Sequence, residues 1–247
     1  MTTTTSEAAD RPLPLFYRKP VVLRSTVHGA WRLKDGDFGF AAETAFVPIV
    51  GGEFVETSRC YPVLFAGTAR MPVAVLGLAD GINLFVENGR WAEGQYVPAY
   101  VRRYPFGFVE IPDSDRFALA IDVAAGRVVE QGDEGAPLFE NGEPSALTRQ
   151  ALQFCEAYQG EFRATKAFVD ALREKDLIVE QRADVTLPDG RKYALNGFGI
   201  VDETRFRELD DATIVDWHRK GFLSLITLHL ASLARMGALM ERQGRRK

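Results

Sequence analysis

The sequence predicts an α+β fold, with a mostly antiparallel sheet in a strand-rich first half and two long helices and a β-hairpin in the second. Three observations lead there. Up to the turn-forming Glu140-Asn141-Gly142-Glu143-Pro144, short β-branched or aromatic runs alternate with breakers such as Lys34-Asp35-Gly36-Asp37, Gly51-Gly52 and Asn88-Gly89. From Ser145 onward, apolar residues recur at helical spacing. Between the two helical stretches, Pro188-Asp189-Gly190 separates two strand-like runs, with proline presetting φ and glycine accepting a positive one.

In chain order, residues 1–12 are polar and threonine-rich without apolar spacing, and are expected to form a flexible tail. Structure is expected from Leu13. A first strand follows in "KPVVLRSTVH". "YPVLFA" and "MPVAVLGL" are continuous apolar runs of strand length bounded by proline or glycine, the mark of buried strands. "DRFALAIDVAAGRVVE" adds another strand or a hairpin. Ser145 is placed to cap a helix through Leu147, Ala151, Phe154, Tyr158, Phe162 and Leu172. "DLIVEQRADVTL" and "RKYALNGFGIV" form the hairpin. Asp210 or Asp211 caps a final helix through Ile214, Trp217, Gly221, Leu225, Leu228 and Ser232 towards Leu239. Residues 241–247, with Arg242, Arg245, Arg246 and Lys247, form a basic tail that complements the helix dipole. No repeat or linker interrupts residues 13–240, which read as a single α+β domain.

Of the 247 residues, 46% are hydrophobic and 26% charged, the composition of a globular chain with an ample core. The net charge of -4 provides no field that would draw the whole chain onto nucleic acid, so no nucleic-acid partner is expected. Two cysteines, Cys60 and Cys155, and a start without a basic or apolar signal segment fit free thiols in the cytoplasm. The longest strongly apolar run, residues 222–234, falls short of the roughly 20 residues that cross a bilayer, and reads as a core helix rather than a transmembrane segment.

The stretch "GQYVPAYVRRYPFGF" carries the clearest recognition chemistry. Pro98 suits a helix start and Pro105 a helix end, leaving about two turns between them. Spaced by four, Tyr96, Tyr100 and Tyr104 share one side of a helix, or equally one face of a strand. Arg102 and Arg103 lie beside them, and arginine's planar fork suits carboxylate or phosphate while its face stacks on aromatic rings. These five residues form a candidate patch for a protein or peptide partner or a small anionic ligand. The competing reading packs the tyrosines under the sheet and pairs the arginines with Glu93 or Glu110.

Other chemistry finds little footing. His28, His218 and His229 are scattered, and the last two lie about three turns apart on one predicted helix, so no metal site is expected. There is no nucleophile elbow, no phosphate loop and no dinucleotide fingerprint, and no cofactor is expected. "GGEF" at residues 51–54 matches part of the cyclic-di-nucleotide synthase signature, but that signature is longer and stands in another context, so the match is rejected. Glu43, Glu53 and Glu56 read as a solvated acidic face rather than an acid/base pair.

Three blocks in order, "ETAFVPIVGGEFVETSRCYPVLF", "YVPAYVRRYPF" and "LNGFGIVDETRFRELDDATIVDWHRKGFLSLITLHLASL", resemble the SapC family of bacterial proteins over roughly residues 15 to 240. The resemblance implies a role near surface-layer protein secretion, with relatives linked to outer-membrane uptake systems and flavin-dependent halogenase-like proteins. It supplies no catalytic residues. The expectation is a non-enzymatic accessory or binding protein that supports a surface or envelope protein, its modification or its export. An enzyme acting on a peptide or small anionic substrate, or a small-ligand sensor, is the alternative.

Overall fold

The computed structural model describes residues 13–111 and 117–246. The expected tail at residues 1–12 lies outside them. The elements that frame the sheets and the site are β1 (Pro20–Val22), β2 (Phe46–Pro48), α1 (Phe54–Cys60), β3 (Val63–Ala66), β4 (Met71–Val75), α2 (Ala99–Arg102), β5 (Phe106–Glu110) and β6 (Phe117–Asp122). They continue with α3 (Ala146–Glu174), β7 (Ile178–Thr186), β8 (Lys192–Val201), α4 (Asp211–Lys220), α5 (Phe222–Ser232) and α6 (Arg235–Arg245). Helices stand beside antiparallel sheets, as an α+β fold requires.

The chain divides into two compact units, each drawn from two separated stretches. One comprises the described residues of Met1–Gly36 and Tyr104–Cys155, the other Asp37–Arg103 and Glu156–Lys247. In the first, β1, β6 and β5 form an antiparallel sheet, with Val21 opposite Ile121 and Phe106 opposite the same residue on the other side. Leu33, Phe106, Leu119, Ile121, Leu138 and Phe139 make its core. The α3 cap is the predicted one, since Ser145 Oγ accepts from the Thr148 N–H at 3.3 Å.

In the second unit a five-stranded sheet runs β7-β8-β3-β4-β2. The runs read as buried strands are β3 and β4, paired Val63 to Ala74 and Leu64 to Val73 and almost wholly buried. The Pro188-Asp189-Gly190 turn closes the β7–β8 hairpin, with Gly190 at φ +87°. Phe168 of α3 packs its ring against Phe54, Phe65 and Phe222 at centroid distances of 6.2, 6.4 and 5.3 Å.

The final helix of the sequence reading is instead three helices. Asp210 caps α4 as expected, its Oδ1 accepting from the Thr213 N–H at 2.9 Å. The helix then stops at Gly221, whose φ of +75° is the left-handed terminating conformation that glycine adopts without steric cost. From Phe222 the chain is helical almost without interruption to Arg245, so the apolar helix is longer than the run at 222–234 suggests. By length and composition this stretch suffices to cross a membrane, with 22% of its most apolar window buried.

His229 fastens this stretch to the sheet. Its Nδ1–H donates to Val63 O at 2.9 Å and its Nε2 accepts from the Val201 N–H at 3.0 Å, while Ser232 Oγ accepts from the Val63 N–H at 2.9 Å. The basic residues at 241–247 are not a tail through most of their length. Arg242 and Arg245 lie within α6, and Arg242 donates to Leu84 O at 2.6 Å with its guanidinium 4.5 Å from the Phe85 ring centre. Arg191, from the hairpin, donates to the carbonyls of Gln243, Gly244 and Arg246 and so caps the end of α6.

Burial lowers the His229 pKa from 6.5 to about 4, with the bond to Val63 O pulling the other way. The folded ring therefore binds a proton more weakly than the unfolded one, and its contribution is present above pH 6.5 and lost as pH falls towards about 4. Urea unfolding should show roughly 3 kcal/mol of acid destabilisation from this residue across that window. His229→Gln, which keeps a donor and an acceptor but does not titrate, should give a flatter profile there; an equally steep one would refute the assignment.

Candidate functional site

The tyrosine and arginine stretch folds differently from a two-turn helix with a single aromatic stripe. Pro98 does precede a helix, but α2 is one turn long, with Tyr96 before it and Tyr104 beyond it. The three tyrosines consequently enter three environments.

Tyr96 is the centre of the first. Its hydroxyl donates to Glu53 Oε1 at 2.9 Å, and the same oxygen accepts from the Ala99 N–H at 2.5 Å, inside the first turn of α2. Glu53 Oε2 accepts from the Val50 N–H at 3.0 Å, closing the turn that leads into α1. Glu53 is 5% exposed. Burial pushes its carboxyl above the ordinary range, against the opposing pull of the hydrogen bonds from Ala99, Val50 and Tyr96 and of the Arg102 charge. Burial and the Glu53 charge likewise push the Tyr96 hydroxyl up to about 12.

The Tyr96 backbone is held from the other side. Tyr61, fully buried, donates its hydroxyl to Tyr96 O at 2.6 Å and accepts from Trp91 Nε1 at 2.9 Å. The Tyr96 N–H points at Cys60 Sγ, 3.4 Å away. Beside Glu53, the neighbouring N–H groups of Gly51 and Gly52 donate to Thr165 Oγ1 at 2.7 Å and Glu161 Oε2 at 3.0 Å, both from α3. The orphan donors at the start of this helical segment are thus met by side chains.

The two arginines play different parts. Arg102 is exposed; its Nε donates to Val97 O and its Nη2 to the Tyr96 hydroxyl, each at 3.0 Å. Arg103 lies between two rings, its guanidinium carbon 4.1 Å from the Tyr100 centre and 4.5 Å from that of Tyr158 on α3. Tyr100 and Tyr158 are themselves 6.1 Å apart, edge to face, and burial raises both hydroxyl pKa values. Tyr104 belongs to the first unit. There its hydroxyl donates to the buried Asp122 at 3.0 Å, its ring meets Tyr17 at 5.5 Å, and its hydroxyl pKa is pushed up to about 12 by burial and the Asp122 bond.

Arg102, Tyr96, Tyr100 and Arg103 are therefore gathered around α2, and sequence reasoning missed the residue beneath them. Glu53 lies over forty positions upstream of Tyr96. Its one local sign is the i to i+3 spacing of Val50 and Glu53, the geometry of a capping box in which the glutamate returns to the backbone three residues earlier. Elsewhere on the same unit an open cleft of about 640 Å³ is lined by Thr68, Arg70, Asp170, Arg173, Glu174 and Asp176. Arg70 there donates to Glu180 at 3.0 Å.

The model of the SapC family matches residues 23–239 of the chain. No curated protein and no solved structure matches it.

Removing Glu53 would strand three buried or half-buried donors. Glu53→Ala should cost about 2–4 kcal/mol in chemical unfolding, against about 1–2 kcal/mol for Tyr96→Phe, which removes the bond to Glu53 and the exposed one from Arg102. The raised carboxyl adds a pH signature of known sign. Folding favours its protonated form, so its contribution is greatest below 4.5 and declines as pH rises through the higher folded value. Glu53→Gln should abolish that decline; if it persists unchanged, another group is responsible.

Proposed function

The chain belongs to the SapC family, and on that premise we propose that it is a non-enzymatic accessory protein, binding a protein or peptide partner through Arg102 and its surroundings. In this reading it supports a surface or envelope protein, its modification or its export. One observation carries it: the Arg102 guanidinium is exposed yet held by Val97 O and the Tyr96 hydroxyl, on a turn that the buried Glu53 fixes from below. An arginine whose fork is oriented before contact loses less conformational freedom on binding, and its geometry suits a carboxylate-bearing segment. Glu53 supports the same reading, because three donors engage its oxygens and commit it to holding backbone rather than transferring protons. The free thiols of Cys60 and Cys155 suit action in the reducing cytoplasm.

A small-ligand sensor is the second reading, and the open cleft favours it. Guanidinium groups of Arg70 and Arg173 and carboxylates of Asp170, Glu174 and Asp176 line one depression, the mixture that a zwitterionic ligand would match.

Native mass spectrometry of gently purified protein, with Arg102→Glu alongside, separates the two. The accessory reading expects a stoichiometric protein partner on the wild type and a loss of affinity of roughly tenfold or more, about 1.4 kcal/mol, in Arg102→Glu with the folded circular dichroism spectrum retained. Arg102→Lys, which keeps charge but not the fork, should fall between. A small molecule released on denaturation, with no protein partner, would favour the sensor, and substrate turnover abolished by a point substitution in a folded variant would overturn both.

A further inference from the structure

The strand β7 ends the five-stranded sheet, and among the described residues no strand pairs with its outer side. Nine residues long, it leaves Glu180, Gln181, Arg182, Asp184 and Thr186 exposed. An edge of that length offers a row of unpaired backbone donors and acceptors, and natural sheets defend such edges with charge. The irregularity of the hairpin does not blunt it. Between the pairs Gln181–Phe198 and Ala183–Leu195 the extra residue falls on β8, where Gly197 takes a φ of +72°, and β7 itself runs through without a bulge.

The charges on this edge are arranged self-complementarily, and we infer that β7 is a docking edge for a second copy of this chain, joined antiparallel about a two-fold axis through Ala183. Residues symmetric about Ala183 then face one another. Arg182 of one copy meets Asp184 of the other, and the two-fold repeats the pair at the opposite side of the axis. Cross-strand opposite charges stabilise such a pairing, and Ala183, small and half-buried, sits at the crossing point. Within one chain Arg182 and Asp184 already share a strand face, with the guanidinium donating to both carboxylate oxygens at 2.8 to 3.1 Å. The same groups have only to exchange partners.

Other registers do worse. Centring the axis on Arg182 sets that residue against itself and Glu180 against Asp184, both like-charge encounters. Centring it on Gln181 opposes Glu180 to Arg182, but it sets Asp184 against Ile178 and engages Glu180, which Arg70 already holds at 3.0 Å. Parallel pairing in register stacks every charge on its own kind. Among these arrangements the charges favour the one centred on Ala183.

The test is the mass of the intact protein by light scattering across a wide concentration range, with charge-reversal variants. The wild type should move from monomer to dimer as concentration rises. Arg182→Asp and Asp184→Arg, each placing like charges across the axis, should each weaken the dimer by roughly tenfold or more. The double variant Arg182→Asp with Asp184→Arg should restore it. Because these side chains are 66% and 65% exposed, the variants should keep the wild-type circular dichroism and unfolding midpoint. A wild type that stays monomeric throughout, a dimer indifferent to either single reversal, or a double variant no better than the singles would overturn the proposal.

Discussion

A carboxylate taken out of water must be given donors, and that requirement organises both units of this protein. In the second unit Glu53 sits under α2 with three donors from separate stretches: the Val50 N–H, the Ala99 N–H and the Tyr96 hydroxyl. In the first, Asp122 is fully buried and accepts from the N–H groups of Arg18, Lys19 and Ala124 and from the Tyr104 hydroxyl. Each acid fixes local backbone that no regular ladder fixes, and each takes one tyrosine from the same short stretch of chain. Leaving any of these groups unpaired would cost on the order of 1–3 kcal/mol, a large fraction of a domain's net stability.

This constraint explains why adjacent arginines have diverged in role. The short helix α2 turns Arg103 inward, where its planar face is covered by Tyr100 and Tyr158 and works as packing. It turns Arg102 outward, tied to Tyr96, whose own position derives from Glu53. A rigid, exposed guanidinium is therefore a product of the buried acid beneath it. The same logic separates the other basic residues: Arg191 and Arg242 give donors to backbone carbonyls at and near α6, so a basic C-terminal sequence need not be a recognition tail.

Much of the fold was legible because it depends on local chemistry. The strands Val63–Ala66 and Met71–Val75 are apolar throughout because both faces are covered, the Asp189-Gly190 turn specifies its hairpin, and Ser145 and Asp210 cap helices through their own oxygens. What was not legible depends on distant partners. Spacing by four puts Tyr96, Tyr100 and Tyr104 on one face only if the helix is longer than the single turn that α2 provides, and the three instead enter separate environments. Glu53 gave the impression of a solvated acid because its donors at Tyr96 and Ala99 lie far along the chain. Gly221 looked like a small residue within a helix, and only its left-handed backbone reveals it as a terminator. The two-unit organisation has no compositional boundary at all, since each unit is assembled from separated segments.

The exposed surfaces that remain follow from how donors are distributed inside. Arg103 lies between two rings, and Arg191 and Arg242 tie α6 through backbone carbonyls, so their geometry serves to hold the structure. Arg102, which also donates to Val97 O, and Arg182 are exposed, and each is oriented by a neighbouring side chain, Tyr96 for one and Asp184 for the other. An oriented surface cation discriminates between partners better than a freely rotating one, because a partner must match a direction as well as a charge. On β7 that direction is supplied by a strand, where alternation fixes Arg182 and Asp184 on one face and makes the match reciprocal. Beside α2 it is supplied by a buried acid acting through a tyrosine, so the match proposed there is one-sided and asks for a partner unlike the chain itself.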